Sequence, residues 1–237
     1  MTYKFIENQS FAHYASGRVI VHRTGYPNFP VRLAGEIYLT CLEMTGKSNA
    51  VLYDPCCGGA YLLTALGFLC GEQISAIYAS DIAEEAVTLA QENLRLLTAQ
   101  GLAQRQTQLE RIHGEFGKQS HADALQSVEY FKEKLQAIPM DCTVFSADIM
   151  NATALNAANF KADIVFADVP YGNLAAWSQG SAFAVDKLLD SIIPVLSDNA
   201  IVAICSDKRQ KITNPSYRRL RKQLIGKRKI ELLRKED

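Results

Sequence analysis

Five short apolar runs recur along this chain: "AVLYD" from Ala50, "ISAIYASD" from Ile74, "CTVFSAD" from Cys142, "DIVFADVP" from Asp163 and "NAIVAICSD" from Asn199. Each is nearly all apolar instead of alternating, which is the pattern of a strand covered on both faces. Helical segments separate them. "YLLTALGFLCG" follows the first run, Val87, Ala90, Leu94 and Leu97 form a helical stripe after the second, and Phe183 to Leu196 reads as a helix before the fifth. Strands alternating with helices imply an α/β, doubly wound, mostly parallel sheet. Residues 1–30 are irregular and close on "TGYPNFP". A helix with its stripe at Leu33, Ile37, Cys41 and Met44 follows, stopped at Gly46. The expected organisation is an extension and helix over 1–46 packed on a sheet domain over 47–237. Residues 103–140 are too long for a simple connection. Their apolar positions Leu125, Val128, Phe131 and Leu135 predict one inserted helix, ended by Pro139.

Charge excludes a global attraction to nucleic acid, because 25 basic residues balance 25 acidic ones. The distribution is uneven, with twelve Lys or Arg and three Asp or Glu from Lys208 onward. No segment approaches the roughly 20 apolar residues of a membrane span, and the first residues do not read as a signal peptide. A cytoplasmic protein with no membrane contact is expected. Six cysteines without any CxxC, and four histidines without ligand spacing, predict neither a disulfide framework nor a metal site.

In a doubly wound sheet the ligand lies beyond the carboxyl ends of the strands. "DPCCGGAYLL" from Asp54 is a strand end, a tight loop and a helix start. It is neither the dinucleotide fingerprint GxGxxG nor a phosphate loop. Asp54 would repel a pyrophosphate but suits a cationic, amine-bearing ligand such as S-adenosyl-L-methionine. Pro55, Cys56, Cys57, Gly58 and Gly59 then form the cradle, with the cysteines acting as small residues. Asp81 ends the second strand 23 residues beyond Gly58, an offset at which an acid takes ribose hydroxyls. The competing reading is a helix N-cap with Glu84 as its capping-box partner. Asp148 ends the third strand, where it would meet an adenine amino group or serve as a turn residue. Ile82 and Ile149 complete the expected cofactor set.

"FADVPYGN" from Phe166 closes the fourth strand with an acid, a proline and an aromatic. The arrangement suits methyl transfer to a nitrogen in a planar ring. Asp168 and the Pro170 carbonyl can accept N–H hydrogen bonds, and Tyr171 can stack on an unpaired base. An ordinary turn is the alternative.

These stretches, with "FPVRLAGEI" from Phe29, "ASDI" from Ala79, "FGKQS" from Phe116 and "SDKRQKI" from Ser206, resemble the avilamycin-resistance rRNA methyltransferases of the AviRa type. The resemblance covers most of the chain. It implies a class I, Rossmann-like methyltransferase fold, S-adenosyl-L-methionine as cofactor, and a guanine base of large-subunit (23S) rRNA as acceptor. In that fold "KRKIELLRK" would be a final antiparallel strand. The partner implied is rRNA or the large ribosomal subunit, bound by a monomer. Two departures stand out. The family's Gly-x-Gly is Gly58-Gly59-Ala60 here, where an added methyl would shift the cofactor or weaken its binding, and its "DLPYG" is "DVPYG". Candidate RNA contacts are Arg23 and Arg32 in the basic–aromatic segment, and Lys208, Arg209 and Lys211 after the fifth strand. Charge runs are also ordinary solvated faces. A protein glutamine methyltransferase, whose motif carries Asn where Asp168 stands, and a non-catalytic RNA-binding protein retaining the pocket are the alternatives.

Overall fold

The computed structural model describes residues 3–26, 28–135, 140–169 and 184–236. Seven strands form one sheet: β1 Ala50–Asp54, β2 Ile74–Asp81, β3 Asp141–Ser146, β4 Ala162–Asp168, β5 Leu196–Asp207, β6 Tyr217–Ile225 and β7 Arg228–Lys235, in the order β3-β2-β1-β4-β5-β7-β6. Strands β1 to β5 are mutually parallel, and β7 pairs antiparallel with both β5 and β6. The chain order reverses between β1 and β4, so the acid-ended strands open a crevice at their carboxyl edge.

Helix α1, Val31–Thr45, ends at Gly46 in the left-handed conformation. Helices α2 Tyr61–Cys70, α3 Glu84–Arg95 and α6 Ala184–Ile192 also fall where the apolar pattern places helices. Both sheet faces are covered. Leu52, Ile77, Ile164 and Phe166 pack toward α1 and α2, while Val165, Ala167, Val202 and Ile204 pack toward α6. That two-sided burial is why the central strands read as unbroken apolar runs.

Two elements depart from expectation. The segment expected to hold one inserted helix holds an antiparallel pair, α4 Ala99–Phe116 and α5 Gln119–Leu135, turning at Gly117 with φ +58°. Phe131 and Val128 carry α5 onto the core as expected, but α4 buries only Gly101, Leu102 and Leu109 and shows little apolar stripe. Pro139, expected to end the insertion, lies outside the described residues. Likewise, the basic run after β5, to which the sequence pattern assigns no element, has β6 as its second half.

The N-terminal extension has little regular structure, and side chains fix it. The buried Glu36 carboxylate accepts the backbone N–H groups of Lys4, Phe5 and Ile6 at 2.5, 2.9 and 3.0 Å. The Tyr61 hydroxyl donates to the Tyr14 carbonyl, and Arg105 of α4 donates to the carbonyls of Arg18 and Val19. These bonds satisfy backbone groups that have no ladder of their own.

Candidate active site

A cavity of about 540 Å³ opens at the carboxyl edge of β1, β2, β3 and β4. The β1–α2 loop supplies Asp54 through Gly59, β2 supplies Asp81 and Ile82, the segment after β3 supplies Asp148 and Ile149, and β4 supplies Asp168. The sequence-predicted cofactor residues therefore share one cavity wall with the predicted catalytic acid. Pro170 and Tyr171 lie outside the described residues.

The loop geometry explains its composition. Gly58 has φ +52°, and a Cβ there would stand 3.1 Å from the Tyr26 ring. Gly59 packs so tightly on α3 that a Cβ would meet Leu89 Cδ2 at 2.5 Å. Gly59 is therefore the close-packed glycine of this loop. Ala60 occupies the position where the family has its second glycine, in the left-handed region at φ +54°, a conformation that costs an L-residue about 1–2 kcal/mol. Its methyl group is fully buried and is not part of the cavity wall. The departure from Gly-x-Gly therefore strains the backbone without filling the ligand space.

Asp81 settles between the two roles its sequence context allowed. Its Oδ2 accepts the Gly58 N–H at 2.9 Å and its Oδ1 accepts the Ala83 N–H at 3.0 Å. The N-cap of α3 is Ala83, without a side-chain cap, so there is no capping box with Glu84. The carboxylate ties the glycine loop to the start of α3 while facing the cavity. Asp148 accepts the Met150 N–H at 2.9 Å, a turn bond made at the cavity rim.

Electrostatically the site is acidic. Burial pushes the Asp54 carboxyl well above the ordinary carboxylate range, the Cys56 N–H bond lowers it, and the charges of Asp168 and Asp81 raise it further. Burial likewise raises Asp168 to about 6, against the lowering influence of Arg228. Asp168 Oδ1 is buried and has no hydrogen-bond partner among the described residues. Cys56 and Cys57 are pushed well above the ordinary thiol value by burial first and by Asp54 and Asp81 next, so both stay protonated. That chemistry opposes a reactive thiolate. Among the described residues no group of three His, Cys, Asp or Glu is placed to hold a metal ion.

Of a whole further wall, sequence reasoning singled out Arg23 alone, as an RNA contact. Val21, His22, Arg23, Gly25, Tyr26, Asn28 and Phe29 close the cavity from the N-terminal side. This strap is held by Asn93 of α3, which is fully buried. Asn93 Oδ1 accepts the Val21 N–H at 2.7 Å, and its Nδ2 donates to the Val21 carbonyl at 3.0 Å and to the Gly59 carbonyl at 2.8 Å. One side chain thus joins strap, glycine loop and helix. Nothing local in "QENLR" distinguishes Asn93 from a surface residue, though its place one helical turn beyond Leu89 on the buried stripe was a usable signal. Arg228, the cation that acts on Asp168, was also missed; its guanidinium lies 5.2 Å from the Phe29 ring centroid, and Phe29 in turn stacks edge-on against Phe166.

The expected RNA contacts divide. Arg23 lines the cavity and pairs with Glu92 at 3.3 Å. Lys208, Arg209 and Lys211 are exposed just beyond β5. Arg32 requires correction: it does not line the cavity. Its Nε donates to the Ile6 carbonyl and its Nη1 to Asn8 Oδ1, both at 3.1 Å, and it stacks 4.0 Å over Tyr3. It clamps the N-terminal segment to α1.

The strand order, the antiparallel β7 and the acid-lined glycine loop define a Rossmann-like, class I methyltransferase fold. The profile of the family described as "rRNA methyltransferase AviRa" matches residues 1–228. A curated relative, "23S rRNA (guanine(2535)-N(1))-methyltransferase" of Streptomyces viridochromogenes, is 35% identical over 238 residues, spanning 98% of this chain and 95% of its own. The chain belongs to the AviRa family of rRNA methyltransferases. A solved structure of rRNA methyltransferase aviRa from the same organism superposes with a TM-score of 0.89 at 33% identity, over 98% of this chain and 96% of that one. More distantly, a structure titled putative methyltransferase yhhF from Escherichia coli shares the fold at TM-score 0.52 and 14% identity, over 89% and 90% of the chains.

Proposed function

We propose that this protein transfers a methyl group from S-adenosyl-L-methionine to a guanine base of 23S rRNA, at N1 as in the curated relative's name. The observation that carries the reading is the convergence of Asp54, Asp81 and Asp168 on one cavity at the strand ends. Three carboxylates would repel a pyrophosphate cofactor, whereas a sulfonium and an α-ammonium relieve their mutual repulsion. When bound, the cofactor supplies an electrophilic methyl carbon on a good leaving group. Asp54 and the Cys56–Gly58 backbone hold its amino-acid end. Asp81 takes the ribose hydroxyls, Ile82 and Ile149 flank the adenine, and Asp148 meets the adenine amino group.

Asp168 acts on the base. A guanine inside a helix cannot present its N1 edge, so the target is unpaired or extruded. Asp168 accepts the N1–H hydrogen bond, orients the nitrogen, and takes that proton as N1 gains its methyl group. Above pH 6 it is ionised and able to do so. The Pro170 carbonyl and the Tyr171 ring are assigned as second acceptor and stacking platform. Arg23, Lys208, Arg209 and Lys211 hold phosphates, and an rRNA substrate places this work in the cytoplasm. Arg32 is left out because its donors are engaged elsewhere.

The test is methyl transfer from labelled S-adenosyl-L-methionine to 23S rRNA and to large subunits, followed by nucleoside analysis. Label in 1-methylguanosine is the expected result. Label confined to protein, or to another nucleoside, would overturn the assignment.

A further inference from the structure

From Lys208 to Lys229 the chain carries ten Lys or Arg and no Asp or Glu. The pairing register sorts these cations by face. Lys222 lies opposite Glu231 and Leu224 opposite Lys229, and residues directly opposite in an antiparallel pair project to the same side. The loop between β5 and β6 lies over that side, because the Lys229 ammonium donates to the Gln210 carbonyl and the Lys208 N–H donates to the Lys227 carbonyl at 3.3 Å.

Beneath the loop the charges neutralise one another. Lys229 and Glu231, both almost fully buried, pair at 2.6 Å, and Arg219 Nη1 donates to Glu231 Oε1 at 2.9 Å. Above, the charges are open. Lys208, Lys211, Lys222 and Lys227 are exposed, and none of their ammonium groups has a hydrogen bond or ion pair among the described residues. Arg209 differs, since its Nε is tied to Asp207 at 3.0 Å. Leu224, 60% exposed, stands on the Lys222 face.

The same register fixes where this surface sits. Asp168 pairs with Cys205, while Asp207 and Ile225 both pair with Arg228. The β6–β7 turn therefore lies at the catalytic edge of the sheet. It is three strands from Asp168, roughly 14 Å at about 4.8 Å per strand.

We propose that the lysine-bearing face of the β6–β7 hairpin, together with the loop before it, is the landing surface for the RNA that flanks the target base. This rests on the methylation reading above. Lys208, Lys211, Lys222 and Lys227 neutralise phosphates, and Leu224 packs against an unstacked base beside them. Unpaired exposed lysines have no internal partner to give up, so each phosphate contact releases counterions without breaking an ion pair. An exposed leucine among cations suits a nucleobase face, which is flat and apolar, and gives the surface a preference for unpaired RNA.

The experiment compares wild type, the triple variant Lys211→Gln/Lys222→Gln/Lys227→Gln, the single variant Leu224→Ala, and a control triple variant Arg95→Gln/Lys118→Gln/Lys187→Gln that removes the same charge elsewhere. Binding to a 23S rRNA transcript is measured across salt, with cofactor affinity and thermal unfolding as fold controls. Each lost phosphate contact on a single strand reduces the log–log slope by about 0.7, so the hairpin triple variant should be shallower by about 2 and bind at least tenfold more weakly at moderate salt. The control should match wild type. Leu224→Ala should lose about fivefold or more in affinity for unpaired RNA with an unchanged slope. A hairpin triple variant that follows the control overturns the surface. Absence of methyl transfer by wild type defeats the methylation reading alone, because the salt slopes score the surface independently.

Discussion

Replacing Asn93 by leucine keeps the side chain's branched outline while removing three hydrogen bonds that converge from two segments. The Gly59 carbonyl is buried in the loop, and leaving such a group unpaired costs about 1–3 kcal/mol. Val21 is half-buried, so its N–H and carbonyl recover water if the strap lifts, and the loss there is closer to the net value of about 0.5–1.5 kcal/mol per bond. Summed, Asn93→Leu should destabilise the protein by about 2–6 kcal/mol, a large share of the usual 5–15 or so. The effect on ligand binding is separable. A lifted strap withdraws Tyr26 and Phe29 from the cavity wall. If its two Val21 bonds are what holds it, cofactor affinity should fall by about 5- to 150-fold, taking tenfold per 1.4 kcal/mol. Asn93→Asp keeps the acceptor for the Val21 N–H but sets a carboxylate against two carbonyl oxygens, and should be worse than leucine at high pH. Urea denaturation without ligand gives the first quantity and calorimetry with S-adenosyl-L-methionine the second. A leucine variant with the wild-type urea midpoint and wild-type affinity would show that the strap stands without Asn93.

Three further outcomes are expected. Asp168 has a folded-state value of about 6 against an ordinary 3.8, so its ionisation opposes folding: the penalty is absent below about pH 4, grows to pH 6 and is complete above. Asp168→Asn should then stabilise the fold by about 2–3 kcal/mol at pH 8, with the gain vanishing by pH 4, while single-turnover methylation at saturating cofactor falls at least a hundredfold; equal stability at pH 8 would contradict the buried charge. Gly59→Ala forces the new methyl against buried Leu89, and overpacking of this kind costs about 1–3 kcal/mol, read as a lower denaturant midpoint. Asp81→Ala removes both the Gly58 tether and the proposed ribose acceptor, charge-assisted bonds worth roughly 1.5–3 kcal/mol each, so S-adenosyl-L-methionine should bind at least tenfold more weakly in calorimetry, and an unchanged affinity would leave Asp81 as a loop brace only.

How much of this was legible in the sequence depends on how each residue is buried. Strands β1, β2, β4 and β5 are covered on both faces, so their apolar runs announce them, and the acids that end them fall at the ligand edge by topology alone. Strand β6 reads as a charge run because it is an edge strand with Arg218, Arg219, Arg221 and Lys222 exposed. Helix α4 was lost because it lies on the surface and buries three residues. The strap was illegible for another reason. Val21 to Phe29 has no periodicity, and its backbone at Val21 is satisfied by Asn93, from an element far along the chain, just as Arg105 satisfies Arg18 and Val19 ahead of it. Arg32 shows the converse error, in which an arginine next to aromatics read as an RNA contact turns its Nε to the Ile6 carbonyl and its Nη1 to the Asn8 side chain of its own chain.

The position of β7 has a consequence for how the sheet is completed. It lies between β5 and β6, although it follows both in the chain. During synthesis β6 emerges with no neighbour to join, since among the described residues its only ladder partner is β7. Until Arg228–Lys235 arrives, β5 presents an open edge that includes Val202 and Ile204, both fully buried in the finished sheet. Open apolar edges of this kind recruit other chains. A premature stop between Ile225 and Arg228 would preserve every residue of the cofactor cavity and still leave two unpaired strands. The expected fate of that shortened product is aggregation, not a soluble cofactor-binding fragment.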